Sequence, residues 1–131
     1  MGKQSMKDIA ENCTKIALAK GAKEAGAAVS RVRDVTLDWR DGKVDRINEA
    51  TRRGVQLQLY VDGRYSGNST SDFRREAVAG FIEDSVGMTR YLEPDKHRHL
   101  PDPARYQGMT SADLQLHDGA VLEIQPEQRL A

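Results

Sequence analysis

The sequence predicts an α+β domain in which two amphipathic helices cover one face of a four-stranded antiparallel sheet. The expected order is α-β-β-β-β-α, followed by an extended linker. Three observations carry this. Apolar residues recur at helical spacing over residues 5–25 and again over 73–90. The intervening stretch alternates with a period of two. Two Asp-Gly dipeptides, Asp41-Gly42 and Asp62-Gly63, fall where tight hairpin turns with positive φ are needed. A chain of 131 residues holds one domain and an appendage, here residues 1–90 and a linker over 91–131 leading towards a missing C-terminal domain.

Taken in order, Met6, Ile9, Cys13, Ile16 and Ala17 lie on one face of the first helix. Ser5 is its expected cap, and Gly26 the residue that takes the left-handed backbone just past its end. The first strand covers 29–40, with Val35, Leu37 and Trp39 on one side, packing against a helix. The second covers 43–51, where Val44 and Ile47 break the alternation and so predict a bulge between them. The third, 55–61, sets Val55, Leu57, Leu59 and Val61 against Gln56, Gln58 and Tyr60. The fourth, 64–70, has little apolar content. Ser71 or Asp72 then caps a helix whose apolar face is Phe73, Ala77, Val78, Phe81, Ile82 and Val86. Pro94, Pro101 and Pro103 mark the linker, and "DLQLHD" (113–118) is one short strand within it. Pro126 and Glu127 suit a helix's first turn, so a helix starts as the sequence stops, which predicts a polypeptide continuing past Ala131.

Twenty basic residues balance twenty acidic ones, so the chain lacks the basic excess of a nucleic-acid binder. Its single cysteine, Cys13, rules out an internal disulfide. No stretch approaches the roughly 20 apolar residues of a membrane span, and the start has no apolar signal core. The expected location is the cytoplasm, with no membrane and no nucleic-acid partner.

Side chains for chemistry are sparse. His97 and His99 project to one side of an extended segment, but no Cys or third His stands near to complete a zinc set, so they read as solvated linker. His117 beside Asp118 is weaker still. There is no nucleophile elbow, no H-E-x-x-H helix and no phosphate-binding loop. Cys13 sits on an apolar stripe and reads as a structural thiol. The expected catalytic and metal residues of this chain are therefore none.

Interaction is the remaining function. The run "YSGNSTSD" contributes little to a core, yet its backbone could accept an added strand at a sheet edge, with small side chains permitting close approach. Tyr65, Ser66, Asn68, Ser69 and Thr70 are candidate peptide or partner contacts, with Trp39 as an anchor at a hairpin end. On this reading peptide capture involves Val55–Val61 or Arg64–Thr70. The plain alternative is a weak hairpin partner leading into a helix cap.

Gly54, the V-x-L-x-L-x-V strand 55–61, Gly63-Arg64 and the run Ser69-Thr70-Ser71-Asp72 occur in the order seen at the N-terminus of the TldD/PmbA family. The chain resembles that domain from about Ile9 onward, and "TRYLEPDKHRHLPDP" (89–103) with "DLQLHD" is most similar to the PmbA, or TldE, branch. The resemblance implies a cytoplasmic, hetero-oligomeric metalloprotease that processes peptides, first named as a modulator of DNA gyrase. It also implies that zinc sits in the TldD-type subunit, on an H-E-x-x-x-H helix beyond this domain. No such motif occurs here, so no cofactor is expected in this chain. The expected partners are a TldD-like subunit or further copies of the chain, with peptide substrate in the full assembly. The implied function is that of a non-catalytic N-terminal domain contributing to assembly and the peptide path. The alternative is a stand-alone peptide- or protein-binding module using a sheet edge. Direct binding to DNA or gyrase follows only from the family's older name.

Overall fold

Ser5 opens helix α1 (Met6–Ala19) in the computed structural model, which describes residues 5–108, 110–125 and 128–129. Ser5 Oγ accepts the Asp8 N–H at 3.1 Å and Asp8 Oδ2 accepts the Ser5 N–H at 3.0 Å, a reciprocal capping box. The helix ends six residues before the expected point, because Gly21 and not Gly26 takes the left-handed backbone, with φ 105°. Gly21 N–H donates to Leu18 O at 3.1 Å and Ala22 N–H to Ala17 O at 3.0 Å, closing a Schellman motif whose two alanines are buried against each other. Gly26 instead lies in the following strand.

Three strands follow: β1 (Glu24–Arg40), β2 (Lys43–Val61) and β3 (Arg64–Thr70), antiparallel and in the spatial order β1-β2-β3. The expected fourth strand is absent among the described residues because the second and third are one. Pairing continues through Val32↔Arg52, Arg31↔Arg53 and Ser30↔Gly54 without a break. No Pro and no Asx-Gly pair interrupts 46–54, and a strand with solvent on both sides accepts this charged run. Both turns form as expected, with positive φ at Asp41, Gly42, Asp62 and Gly63. The bulge is also present. Asp38 pairs with Arg46 and Trp39 with Val44, so Asp45 is the extra residue. That one insertion puts Val44 and Ile47, three apart, on the same face.

Helix α2 (Arg75–Thr89) begins later than expected. Asp72 still serves its start, accepting the N–H of the N-cap residue Arg74 at 2.9 Å and pairing with its guanidinium. Both helices pack on the face carrying Val55, Leu57, Leu59 and Val61, each at most 1% exposed. Cys13 and Ala17 from α1 and Val78, Ile82 and Val86 from α2 complete the core. Each large apolar side chain so buried contributes about 1.5–3 kcal/mol.

Two compact units divide the chain, Met1–Leu100 and Pro101–Ala131. In the first, residues 91–100 return along the sheet and are pinned to it. Arg64 Nε donates to Leu92 O at 2.7 Å, Asp95 N–H to Gly63 O at 2.8 Å and Leu100 N–H to Glu24 Oε2 at 3.0 Å. In the second, Asp102 and Asp118 cap short 3₁₀ turns at Pro103–Tyr106 and Gly119–Glu123. The strand expected at 113–118 does not form, and Gln115, with φ 52°, breaks any extended run there. The helix expected from Pro126 lies largely outside the described residues.

Candidate functional site: an uncovered two-stranded arm

Strand β3 pairs only with Val55–Val61 of β2. Beyond Ser30↔Gly54, β1 and β2 therefore continue as a two-stranded arm to the Asp41-Gly42 turn. Ten residues of β1 at strand rise make it roughly 33 Å long. Among the described residues, none between Ser30 and Gly54 belongs to the core.

Residues directly opposed in an antiparallel pair share a face. On one face of the arm the pairs are Arg33↔Thr51, Val35↔Glu49, Leu37↔Ile47 and Trp39↔Val44. Counting by twos from Val29, this is the same face that the helices cover in the body. The arm's row thus continues the core face beyond the helices. Val35, Leu37 and Val44 are half-buried by their cross-strand neighbours, Ile47 is 44% exposed and Trp39 60% exposed. Trp39 therefore does not pack against a helix, because no helix reaches the arm's tip. The other face is mostly polar, with Asp34, Thr36, Asn48, Asp38 and Arg46, and carries Val32 as an exposed apolar side chain near its base. Arg33–Glu49 and Arg52–Asp34, both at 2.7 Å, tie the two strands together at the arm's base. Exposed pairs of this kind contribute little individually. Their value here is to hold register in a ribbon lacking a core.

The remaining sequence-predicted contacts lie elsewhere. Ser66, Asn68 and Thr70 oppose Leu59, Leu57 and Val55 and so face the helices. Thr89 Oγ1 donates to Ser85 O at 2.6 Å, so the Ser66 hydroxyl must donate to Thr89 Oγ1, also at 2.6 Å, while accepting from Asn68 Nδ2 at 2.8 Å. Thr70 Oγ1 accepts the Asp72 N–H at 3.2 Å. The polar strand is matched by a polar patch under α2. Tyr65 and Ser69 lie on the opposite face, where Tyr65 meets Tyr60 with ring centroids 5.1 Å apart and Arg98 stacks on it at 4.6 Å. Trp39 is more than ten strand positions from any of them, so the six candidates do not form one site. Val55–Val61 is the central strand, with no edge to offer; β1 and β3 are the edges. Sequence reasoning set Val35, Leu37 and Trp39 on one side of a strand but placed them under a helix, and did not join Val44 and Ile47 to them. The signal that joins the last two was the bulge.

Near α2, the Arg74 guanidinium and then the Arg74 backbone N–H hold the Asp72 carboxyl down at about 2. Burial pushes the Cys13 thiol up. Among the described residues, no group of three or more His, Cys, Asp or Glu is arranged to hold a metal ion. No helix among them is long and apolar enough to cross a membrane.

Residues 25–89, the three strands and α2, match the family model described as PmbA/TldA metallopeptidase domain 1. The domain belongs to the PmbA/TldD family. The PmbA/TldD-type chain is 23% identical over 129 residues to a metalloprotease PmbA homolog of Haemophilus influenzae, covering 98% of this chain and 28% of that protein. It is 24% identical over 118 residues to metalloprotease PmbA of Escherichia coli O157:H7, covering 89% and 26%. Its fold matches a crystal structure from Bacteroides thetaiotaomicron, named as a candidate modulator of DNA gyrase, with TM-score 0.86 and 32% identity over 95% of this chain and 28% of that one. TldE from Thermococcus kodakarensis shares the fold, with TM-score 0.64 and 20% identity over 84% and 25%. The PmbA/TldD-type chain thus spans little more than a quarter of the length of these relatives.

Proposed function

We propose that this chain acts as a non-catalytic N-terminal domain of a PmbA/TldD-type metallopeptidase subunit, and that its arm docks on a TldD-type subunit. The observation that carries this is the apolar cluster Val35, Leu37, Trp39, Val44 and Ile47, on the same face as the core but beyond Arg31, Arg33, Thr51 and Arg53, and left without a helix over it among the described residues. Such a row exposed to water is unfavourable unless a partner covers it, and an exposed tryptophan at its outer end has the character of an interface anchor. The sequence supplies no H-E-x-x-x-H, so hydrolysis and the zinc it needs are assigned to the partner, and the assembly works in the cytoplasm. The compact unit that ends at Leu100 is the docking domain, and 101–131 lead towards the rest of the subunit.

The test is a titration of the 131-residue chain against a purified TldD-type subunit, comparing the parent with a Trp39→Ser/Ile47→Ser variant. The variant is expected to bind at least about tenfold more weakly, the loss of one good anchor. Equal affinity would overturn the docking assignment, and self-association in place of the heterocomplex would replace the partner with a second copy.

A second reading, peptide capture on a sheet edge, is favoured by the length of β1, a 17-residue edge strand. It predicts amide shifts along β1 or Arg64–Thr70 on adding an extended peptide. Silence there across a set of peptides would retire it.

A further inference from the structure

Where residues 95–99 cross the end of the sheet they border an open cavity of about 270 Å³, lined also by Tyr60 and Gly63. Lys23, Arg64, Lys96 and Arg98 line it, against the carboxylates Glu24 and Asp95. Four cationic side chains against two carboxylates leave a surplus of two positive charges, in a chain whose formal net charge is zero.

Both carboxylates accept backbone N–H groups, and Asp95 is also ion-paired. Glu24 Oε2 accepts the Leu100 N–H at 3.0 Å. Asp95 accepts the His97 N–H at 3.0 Å and pairs with Arg98 at 3.4 Å. The guanidinium of Arg64 is fixed by two neutral carbonyls, Leu92 O at 2.7 Å and Asp62 O at 2.9 Å, which hold its position without neutralising it. Among the described residues no carboxylate lies within 4.0 Å of the charged nitrogens of Lys23, Arg64 or Lys96. Lys23, Arg64 and Lys96 therefore face one carboxylate without an ion pair, Glu24, and the surplus of two positive charges stands around a concave space also lined by Tyr60. A positioned Arg beside two Lys point charges is a donor set for an oxyanion.

We propose that this cavity binds an oxyanion, the free C-terminal carboxylate of a peptide, with the terminal side chain laid on Tyr60. The volume fits an amino-acid-sized group, and the Tyr60 ring beside the charges favours an organic acid over an inorganic ion. The inference deepens the second reading, peptide capture, and rests on it only for calling the ligand a peptide. Its test uses no partner subunit, so its failure leaves the arm's docking role untouched.

The experiment is a ¹⁵N amide titration of the 131-residue chain with an N-acetylated tripeptide ending in Phe, with the same tripeptide as its C-terminal amide, and with inorganic phosphate. Saturable shifts are expected at Lys23, Gly63, Arg64 and Lys96 with the free acid, at least about tenfold weaker with the amide. A Lys23→Glu/Lys96→Glu variant, altered only at exposed positions, is expected to keep its dispersed spectrum and lose the shifts. Phosphate that saturates the same amides while the free acid does not would overturn the peptide-carboxylate assignment. No saturable shift with any of the three, or shifts that persist in the variant, would overturn the site itself.

Discussion

Asp72 shows how one side chain can set a helix start without being its cap. Its carboxylate accepts both the backbone N–H and the guanidinium of Arg74, which holds its titration at about 2, against an ordinary 3.8. A folded-state value below the unfolded one means that the stabilisation is complete above about pH 4 and is lost as pH falls through about 2. Arg74→Ala is expected to raise the Asp72 midpoint towards 3.8, read by carboxyl-detected NMR; an unmoved midpoint would contradict the assigned cause. Ser85 offers a second residue-scale check. Its hydroxyl is 1% exposed and has no hydrogen-bond partner among the described residues. Ser85→Ala removes an unsatisfied group, so denaturant unfolding should show unchanged stability or a gain of up to about 1 kcal/mol. Leu57→Ala, in contrast, should cost about 2–5 kcal/mol by opening the core beneath both helices. Cys13, fully buried with its thiol pushed up, should resist thiol reagents in the native state and react on unfolding.

At the scale of elements, the turns were legible because Asp-Gly is nearly a statement of backbone geometry. Both pairs take positive φ where expected. The capping box at Ser5 and the core row 55–61 were legible for similar reasons: each depends on neighbouring residues alone. The fused strand was not. Local composition around Arg52-Arg53-Gly54 looks like an interruption, and only the partner residues Ser30–Val32 show that pairing runs on. The end of α1 was misplaced because two glycines, Gly21 and Gly26, both suit a C-terminus, and the choice depends on where Ala22 can bury. The arm's apolar face was half legible. The broken spacing of Val44 and Ile47 foretold the bulge, but not that helices would fall short of it. Because the arm lacks a core, Trp39→Ser/Ile47→Ser should change global unfolding by less than about 0.5 kcal/mol. A large loss of stability would show that the row is already covered within this chain.

For the whole molecule, the division of labour follows from where apolar surface is and is not satisfied. The body buries its row under α1 and α2 and is complete in itself. The arm carries a further apolar cluster on that face, exposed at Trp39 and Ile47 among the described residues, so its role is read as outward. The sequence offers no tally of exposed faces, which is why Trp39 reads there both as a packed residue and as an anchor candidate, while the structure leaves it 60% exposed. Trp39 is the only tryptophan in the chain, so it reports on the arm's tip without interference from the body. The most direct measurement is the ¹⁹F NMR spectrum of the chain labelled with 5-fluorotryptophan, alone and with an unlabelled TldD-type subunit. Alone, the resonance should show the solvent isotope shift of an exposed indole; in the complex it should move and lose that shift. A resonance that stays solvent-exposed while the complex forms would contradict docking through the arm.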